Sequence, residues 1–273
     1  MPDIYQKSGY LNSPFRLFYL EDLPGREYTY HYHDFHKVII FLSGKAAYHI
    51  EGKSYYLKPW DILLVNRHAI HKPEIDFSVP YERFVLWIRD DIKSTELLRC
   101  LQKAIDRSYN LIRLDSDTQE KLKQLLYELE AALKDEKFGS DLLGSALFTQ
   151  FMVYVNRIFL EKQYIYDTRS YSSDSQIEEL LRYINHNLTE DLSIETLARK
   201  YYLSKYHMMR KFKEETGYTI HNYIISKRLL LARTKISKGT PILKAAQLSG
   251  FSDYTTFSRA YKKQFGIAPS QTI

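Results

Sequence analysis

The hydrophobic pattern of the chain is strand-like up to about residue 90. Short apolar runs alternate there with turn-forming residues such as Ser43-Gly44, Lys58-Pro59 and Pro73. Many short strands with regular breaks are typical of a β-sandwich or barrel. The predicted strands span residues 28–33, 38–42, 46–50, 54–57, 62–65 and 84–88.

The spacing of apolar residues becomes helical between about residues 94 and 163. One stripe has the i, i+3, i+4, i+7, i+11 spacing of an amphipathic helix, and it consists of Leu122, Leu125, Leu126, Leu129 and Leu133. After a break at residues 139–141 a second stripe contains Leu142, Leu143, Ala146, Leu147, Gln150, Phe151, Tyr154 and Ile158. We expect a helix pair that either covers the barrel or pairs with a second chain.

The last hundred residues contain the same pattern twice. In residues 241–269 a short helix should stop at Gly250, and Asp253 should cap a second helix with an apolar stripe. That stripe is Phe257, Tyr261 and Phe265. Residues 192–217 repeat this arrangement with Ser204 as the cap, although Tyr201-Tyr202 offers no glycine and a wider turn is expected. A long helix at 220–238 would join the two units, and Ser175 is the expected cap of a helix before them.

Each repeated unit presents one polar helix face suited to a DNA major groove. The two faces match in spacing, and their members are Lys205, Tyr206, Met209, Arg210 and Lys213, then Tyr254, Thr255, Ser258, Arg259 and Lys262. Arg210 and Arg259 could each bind a guanine edge, with the two helices about 34 Å apart in successive grooves. The lysines expected to contact phosphates are Lys205, Lys211, Lys213, Lys262 and Lys263.

The charge distribution supports a polyanionic partner for this region. The formal net charge is +6, but residues 176–273 carry 16 Lys/Arg against 8 Asp/Glu, and the remainder carries 23 against 25. The single cysteine, Cys100, excludes an internal disulfide and fits a reducing cytoplasm. Without a run of about 18 apolar residues or a secretory signal, we predict no membrane span. No phosphate-binding loop or nucleophile motif occurs, so we expect no cofactor and no enzyme activity.

The C-terminal motif resembles the AraC/XylS family of transcription regulators. It consists of Gly250-Phe251-Ser252-Asp253, Phe257-Ser258-Arg259, Phe265-Gly266 and Pro269-Ser270. Weaker N-terminal landmarks are His31-Tyr-His33, Gly44, Asp61 and His71, with Trp60 where the family usually has Gly, so the turn before Asp61 is expected to differ. The resemblance implies a multidomain α and β protein: a cupin-like ligand-sensing β-barrel at 1–92, a helical dimerisation segment at 93–165, a linker at 166–175, and an all-α DNA-binding domain with two helix-turn-helix units at 176–273.

A candidate ligand site lies in the predicted barrel. Its members are His31, His33, His71, Arg83 and Trp87. Three imidazoles can bind a divalent metal, but metal-dependent cupins add a carboxylate four or five residues after the second histidine. Here that stretch offers none, and Lys37 would repel a cation if it faced inward. Structural histidines remain an alternative. We predict no metal and favour an organic effector, with a carbohydrate as the first candidate.

The predicted function is therefore sequence-specific DNA binding under control of a small-molecule effector. The expected partners are double-stranded promoter DNA, the effector and a second copy of the chain, with RNA polymerase as a further candidate for an activator. Two alternative functions are also compatible with the sequence. One is a metal-dependent cupin enzyme with a helical appendage, and the other is a DNA-binding protein whose N-terminal domain only dimerises.

Overall fold

The N-terminal half forms two facing, mainly antiparallel β-sheets. The computed structural model describes residues 6–7, 11–22, 28–76, 78–167, 171–172 and 174–272. Its strands are β1 (Gln6–Lys7), β2 (Phe15–Asp22), β3 (His31–Tyr32), β4 (His36–Ser43), β5 (Ala46–Ile50), β6 (Lys53–Tyr56), β7 (Ile62–Val65), β8 (His71–Ile75), β9 (Tyr81–Ile88), β10 (Leu111–Ile112) and β11 (Tyr171–Ser172). One sheet has the order β1-β3-β8-β5-β6-β11, and the other has the order β10-β7-β4-β9-β2.

The predicted strands agree with the observed ones at β3 to β7 and β9, but the longer strands β2 and β8 were missed, as were the two-residue strands β1, β10 and β11. β2 carries alternating, half-exposed side chains and lies at the sheet edge beside β9. β8 contains Pro73, which we had assigned to a turn. Pro73 pairs with Tyr48 of β5, while the described pairing of β8 with β3 involves only His31 and His71. Proline has no N–H to donate, so it is tolerated in a strand where one side has no hydrogen-bonded neighbouring strand.

The turn before Asp61 keeps a glycine-like backbone although it contains tryptophan. Trp60 has φ +70°, in the left-handed region. Its ring lies 6.3 Å from the Tyr127 ring. Asp61 is buried and accepts hydrogen bonds from Arg113 Nε at 2.9 Å and Nη2 at 2.6 Å. The expected difference in this turn is therefore in the side chain rather than in the backbone.

Helices α1 (Arg99–Arg107), α2 (Ser116–Lys134) and α3 (Ser140–Leu160) cover the sheet that contains β4 and β9. The α2 stripe is buried as predicted except at Leu133, which is 40% exposed. On α3 the predicted stripe is only partly correct, because Leu142 and Leu143 are 76% and 53% exposed. Phe151 and Ile158 of the predicted stripe are buried. The other buried residues of α3 are Gly144, Phe148, Met152, Val155, Asn156 and Phe159.

Among the described residues, α3 alone is long and apolar enough to cross a membrane by length and composition. No such segment was expected from the sequence. The inward-facing side chains of α3 belong to the core shared with α2 and with β4 and β9, including Met152 and Phe159 at 0% exposure. We therefore interpret α3 as a core helix of the N-terminal domain.

The C-terminal part is all helical, as predicted. Its helices are α4 (Ser175–His186), α5 (Ile194–Lys200), α6 (Lys205–Thr216), α7 (Ile220–Ser237), α8 (Ile242–Gln247) and α9 (Tyr254–Phe265). Ser204 and Asp253 cap α6 and α9 as expected, whereas the cap of α4 is Asp174 rather than Ser175. Of the predicted linker, residues 168–170 and 173 lie outside the described part, and β11 pairs with β6.

The two helix-turn-helix units have the same turn despite their different sequences. Tyr202 has φ +53° and Gly250 has φ +84°, so both residues are left-handed. In both units the amide of the next residue donates an equivalent hydrogen bond to the preceding helix. Leu203 N donates to Ala198 O at 3.0 Å, and Phe251 N donates to Ala246 O at 3.1 Å. The lack of glycine predicted a wider first turn, but the two turns have the same geometry and this prediction is wrong. Instead, Tyr202 occupies a backbone region that is unfavourable for an L-residue.

We predict opposite effects of substitution at these two positions. Gly250→Ala should lower the free energy of unfolding by at least about 2 kcal/mol, because a Cβ there would lie 2.3 Å from Leu188 O in an already left-handed residue. Tyr202→Gly should leave stability unchanged or raise it by up to about 1 kcal/mol, because its side chain is 96% exposed and strain is removed. Urea titration monitored by circular dichroism measures both; a stable Gly250→Ala variant would contradict the assignment.

Candidate functional sites

Helix α6 presents the predicted polar face to solvent. Lys205, Arg210 and Lys213 are exposed, and Tyr206 and Met209 are 75% and 41% exposed. The opposite side of the helix is anchored in the core by Met208 and Phe212, both at 0% exposure. The first candidate recognition face is thus rigidly supported from behind.

Helix α9 has the same organisation. Phe257 and Tyr261 are fully buried behind it, as predicted. Tyr254, Thr255, Arg259 and Lys262 are exposed, and Ser258 is half-buried. All five predicted residues therefore lie on α9, four of them exposed. Their contacts with DNA remain a prediction.

Helix α7 connects the cores of both units. Tyr223 of α7 packs edge-on against Phe212 of α6, with ring centroids 5.4 Å apart. Farther along, Leu229 and Ala232 belong to the core that contains Phe257 and Tyr261 of α9. One continuous helix thus supports both candidate recognition helices. The expected separation of about 34 Å between them remains a prediction.

Two of the lysines expected to contact phosphates have protein partners. Lys211 Nζ forms an ion pair and hydrogen bond with Asp174, the cap of α4. Lys205 Nζ is similarly paired with Glu195 of α5. Lys213, Lys262 and Lys263 are exposed and form no ion pair within the described part of the chain. The last three are therefore better placed to neutralise phosphates.

The three predicted histidines lie together between the two sheets. Their ring centroids are separated by 4.5 Å (His31–His71), 5.0 Å (His31–His33) and 5.0 Å (His33–His71). His31 and His71 are cross-strand partners, and each Nδ1 lies 2.8 Å from the carbonyl oxygen two residues earlier. These bonds favour the tautomer with hydrogen on Nδ1. In that tautomer Nε2 carries no hydrogen and can accept a hydrogen bond.

Arg83 and Trp87 face the same interior. Phe84, between them, contacts Tyr127 of α2, so the alternation of β9 directs Arg83, Val85 and Trp87 to the other side of the sheet. The Trp87 ring lies 6.1 Å from the His33 ring. The structure therefore directs all five predicted ligand-site residues to one interior, with Trp87 beside the histidines and Arg83 four strand residues away. Ligand binding by them remains a prediction.

Sequence reasoning overlooked several residues that line this interior. Phe35 stacks on Trp87 with centroids 4.3 Å apart, and Tyr48 stacks on His71 at 5.9 Å. Lys37, which the sequence analysis named as a residue that would repel a cation if it faced inward, does face inward, opposite Trp87 in the β4–β9 register. A sequence signal existed for Lys37, because Lys37, Ile39 and Phe41 alternate along one strand face. The β4–β9 register itself was not available from the sequence.

The outer side of the same strands contacts the DNA-binding domain. Tyr32 and Ile70 belong to a core cluster otherwise formed by residues of α4 to α7 and their connections. Tyr30 lies 6.0 Å from the Tyr218 ring, and Tyr218 Oη donates a hydrogen bond to Tyr30 O at 2.9 Å. His31 and His33 therefore alternate with the contact residues Tyr30 and Tyr32 along one segment. In a second segment, His71 follows the contact residue Ile70.

Glu51, at the turn between β5 and β6, links the two domains by polar contacts. Its Oε1 accepts hydrogen bonds from Ile70 N at 2.6 Å and from Lys227 Nζ at 2.7 Å. Its Oε2 accepts a hydrogen bond from the Tyr223 hydroxyl. Burial and the Glu51 carboxylate hold the pKa of Tyr223 well above its usual value, so Tyr223 remains a donor. Nothing in the local sequence pattern identified this contact.

The exposed helical faces and the histidine-lined barrel are the arrangement expected of a helix-turn-helix DNA-binding protein with a ligand-binding domain. The family model described as the AraC-like ligand binding domain matches residues 17–152, and the model described as a helix-turn-helix domain matches residues 197–273. The chain belongs to the AraC family of transcriptional regulators. The resemblance in the sequence motifs is thus confirmed, together with the fold class.

Similar proteins span nearly the whole chain. The probable transcriptional regulator LumQ of Photobacterium leiognathi is 25% identical, over 89% of this chain and 91% of LumQ. The transcriptional activator RhaS of Enterobacter sp. (strain 638) is 24% identical, over 91% of this chain and 88% of RhaS. An apo crystal structure of a ToxT variant from Vibrio cholerae is 16% identical with a TM-score of 0.41, covering 95% of this chain and 97% of ToxT. The two sequence relatives are named as regulators, which disfavours the alternative of a cupin enzyme.

We predict that single lysine substitutions will separate phosphate-contacting from structural lysines. Lys213→Met and Lys262→Met should each reduce the slope of log affinity for duplex DNA against log salt concentration by about 0.9, because each removes one released counterion. Lys211→Met is the matched control, since Asp174 already holds Lys211. Fluorescence anisotropy at several salt concentrations measures the slopes; equal slopes in all three variants would contradict this assignment.

Proposed function

We propose that this protein is a sequence-specific transcription regulator whose DNA binding is controlled by a small molecule in the N-terminal barrel. The observation that carries the proposal is the alternation at β3 and β8. His31, His33 and His71 face the barrel interior, whereas Tyr32 and Ile70 are inserted in the core of the DNA-binding domain. A ligand that moves the histidines would act on residues adjacent to the domain contact.

Base recognition is assigned to the two exposed helix faces. Arg210 makes only a weak 3.5 Å contact with Glu214, and Arg259 is exposed. A guanidinium can donate two parallel hydrogen bonds to guanine O6 and N7. Tyr206, Met209 and Tyr254 would contact neighbouring base edges or thymine methyl groups, while the exposed lysines orient the helices on the phosphates.

Communication between the domains is assigned to the contacts around Glu51. Lys227 Nζ bonds both Glu51 and His68 O, at 2.7 and 3.0 Å. Arg67 Nη2 donates to Thr234 Oγ1 at 2.6 Å and Arg67 Nη1 to Asp90 at 2.6 Å. Lys227 and Thr234 both belong to α7, which supports both recognition helices. A ligand-dependent change in these contacts would therefore alter the relative placement of the helices.

Self-association is assigned to the start of α3. Phe138, Leu142 and Leu143 are exposed by 108%, 76% and 53%. A groove of about 1230 Å³ lies beside them, between the edge strand β2 and helices α2 and α3. Contiguous exposed apolar side chains commonly mark a protein interface. We propose a cytoplasmic homodimer that binds two promoter sites; a carbohydrate effector and contact with RNA polymerase, as in an activator, are further expectations.

We predict that both recognition arginines contribute to specificity. Arg210→Ala and Arg259→Ala should each weaken binding to the specific site by about 1–3 kcal/mol, with little change in binding to random DNA. Sites are first identified by selection from a random duplex pool, and affinity is then measured by footprinting. The control is Arg182→Ala, because Arg182 is an exposed arginine on α4, which is neither of the two candidate recognition helices. Unchanged specific binding in the double arginine variant would refute these roles.

We also predict that charge at the start of α3 disrupts the dimer. Leu142→Glu combined with Leu143→Glu should convert dimer to monomer, because two carboxylates would be buried in an apolar contact. Val79→Glu, an exposed apolar position elsewhere on the domain, should have no effect. Sedimentation velocity gives the result, with circular dichroism to confirm folding. An unchanged dimer, or a wild-type monomer at high concentration, would exclude this interface.

A further inference from the structure

A buried lysine faces the barrel interior beside the histidines. Lys37 is only 8% exposed, and its Nζ lies 6.0 Å from the centre of the Trp87 ring. Trp87 is its cross-strand partner and contacts His33 and Phe35. The long side chain of Lys37 therefore ends inside the barrel rather than in solvent.

The described residues offer no compensating carboxylate for the positive charge of Lys37. Within the described part of the chain, no Asp or Glu oxygen lies within 4 Å of its Nζ. The charged and titratable groups near it are the three histidines and the Arg83 guanidinium. Burial, and next the charge of Lys37, hold the pKa of His71 well below its usual value. Burial, together with Arg83, lowers the pKa of Lys37 to about 7. An isolated buried ammonium is costly, so the site favours an incoming negative charge.

Unused hydrogen-bond capacity surrounds the same interior. Arg83 Nη2 donates a hydrogen bond to Asp22 at 2.8 Å, but the buried Nη1 has no hydrogen-bond partner among the described residues. Among the same residues, the buried Tyr81 hydroxyl and His71 Nε2 also have none. Buried polar atoms in native proteins are usually paired, so an unpaired group requires an explanation. A polar ligand that meets these atoms provides one.

A divalent cation is the competing occupant. The ligand atoms of His31, His33 and His71 lie within 4.8 Å of one another. Three imidazoles on a tetrahedral zinc place their ring centres about 5 Å apart, close to the observed spacing. However, Lys37 lies four residues after His33, at a position where metal-dependent cupins have a carboxylate, and it does face inward. Its charge would repel a cation at the site and attract an anion.

We propose that the barrel interior binds an organic anion, a carboxylate or phosphate, whose charged oxygens are held by Lys37 and whose other end reaches Arg83 and Tyr81. The proposal rests on the proposed function only in identifying this anion as the effector. In the β4–β9 register, Lys37 pairs with Trp87 and Phe41 with Arg83, and four residues of strand span about 13 Å. Ile39 and Val85 lie between them, so the middle of the ligand meets an apolar surface.

The experiment measures thermal unfolding of the full chain with two probe anions. At pH 7, sodium benzoate and sodium phosphate are each compared with sodium chloride of equal ionic strength. We expect at least one probe to raise the melting temperature by about 2 °C or more. Lys37→Met should abolish this shift, whereas the matched control Lys93→Met, at an exposed position in the same domain, should retain it. A benzoate shift alone indicates a carboxylate, and a phosphate shift alone indicates a phosphate.

Two further measurements test the role of the Lys37 charge without an added probe anion. The Lys37→Met protein should melt at a higher temperature than the wild type, because it removes an uncompensated buried charge. Lys37→Glu should gain Co²⁺ binding, detected by visible absorption, which the wild type lacks. The proposal is overturned if neither probe shifts the wild type, if Lys37→Met retains the shift, or if purified wild type contains near-stoichiometric metal. None of these assays uses DNA, so their failure would leave the DNA-binding assignment intact.

Discussion

The alternation of side chains along two short strand segments is the constraint on which the arrangement of the domains depends. In an extended chain successive side chains point to opposite sides. His31 and His33 therefore share the barrel interior, and Tyr30 and Tyr32 contact the DNA-binding domain. The same rule separates Ile70 from His71. A slip of one residue in register would exchange these two surfaces, so the candidate effector site and the domain contact are specified together.

The domain contact combines this apolar insertion with a small polar network. Glu51 accepts from Lys227, Tyr223 and the Ile70 amide, and such charge-assisted bonds are about twice as strong as neutral ones. A ligand changes the population of this docked arrangement only through its different affinity for the docked and undocked forms. A shift from 1:99 to 99:1 needs about 5.5 kcal/mol. Contacts to histidines that adjoin the docking residues can contribute directly to that difference.

Much of the DNA-binding domain could be predicted from sequence, because its signals are local. The caps Ser204 and Asp253 and the buried stripe of α9 depend on spacing within one helix. The failures have non-local causes. Pro73 is tolerated because of the strands beside it, and Asp174, rather than Ser175, caps α4 while also holding Lys211. Likewise, the histidines were identified by motif, but the orientation of Lys37 depended on the β4–β9 register.

The docked barrel leaves both recognition faces accessible, which favours control by placement over control by masking. Its contacts on α6 are at the C-terminal end, where Tyr30 Oη donates to Glu215 O at 3.2 Å, and Arg210 remains exposed. The remaining polar contacts described above fall largely on α7, through Tyr223, Lys227 and Thr234. Because α7 supports α6 at one end and α9 at the other, restraint of α7 also restrains the spacing of the two helices. Affinity for a site that spans two grooves depends on that spacing. We therefore infer that an effector need not cover any of the candidate base-contacting residues to change the affinity.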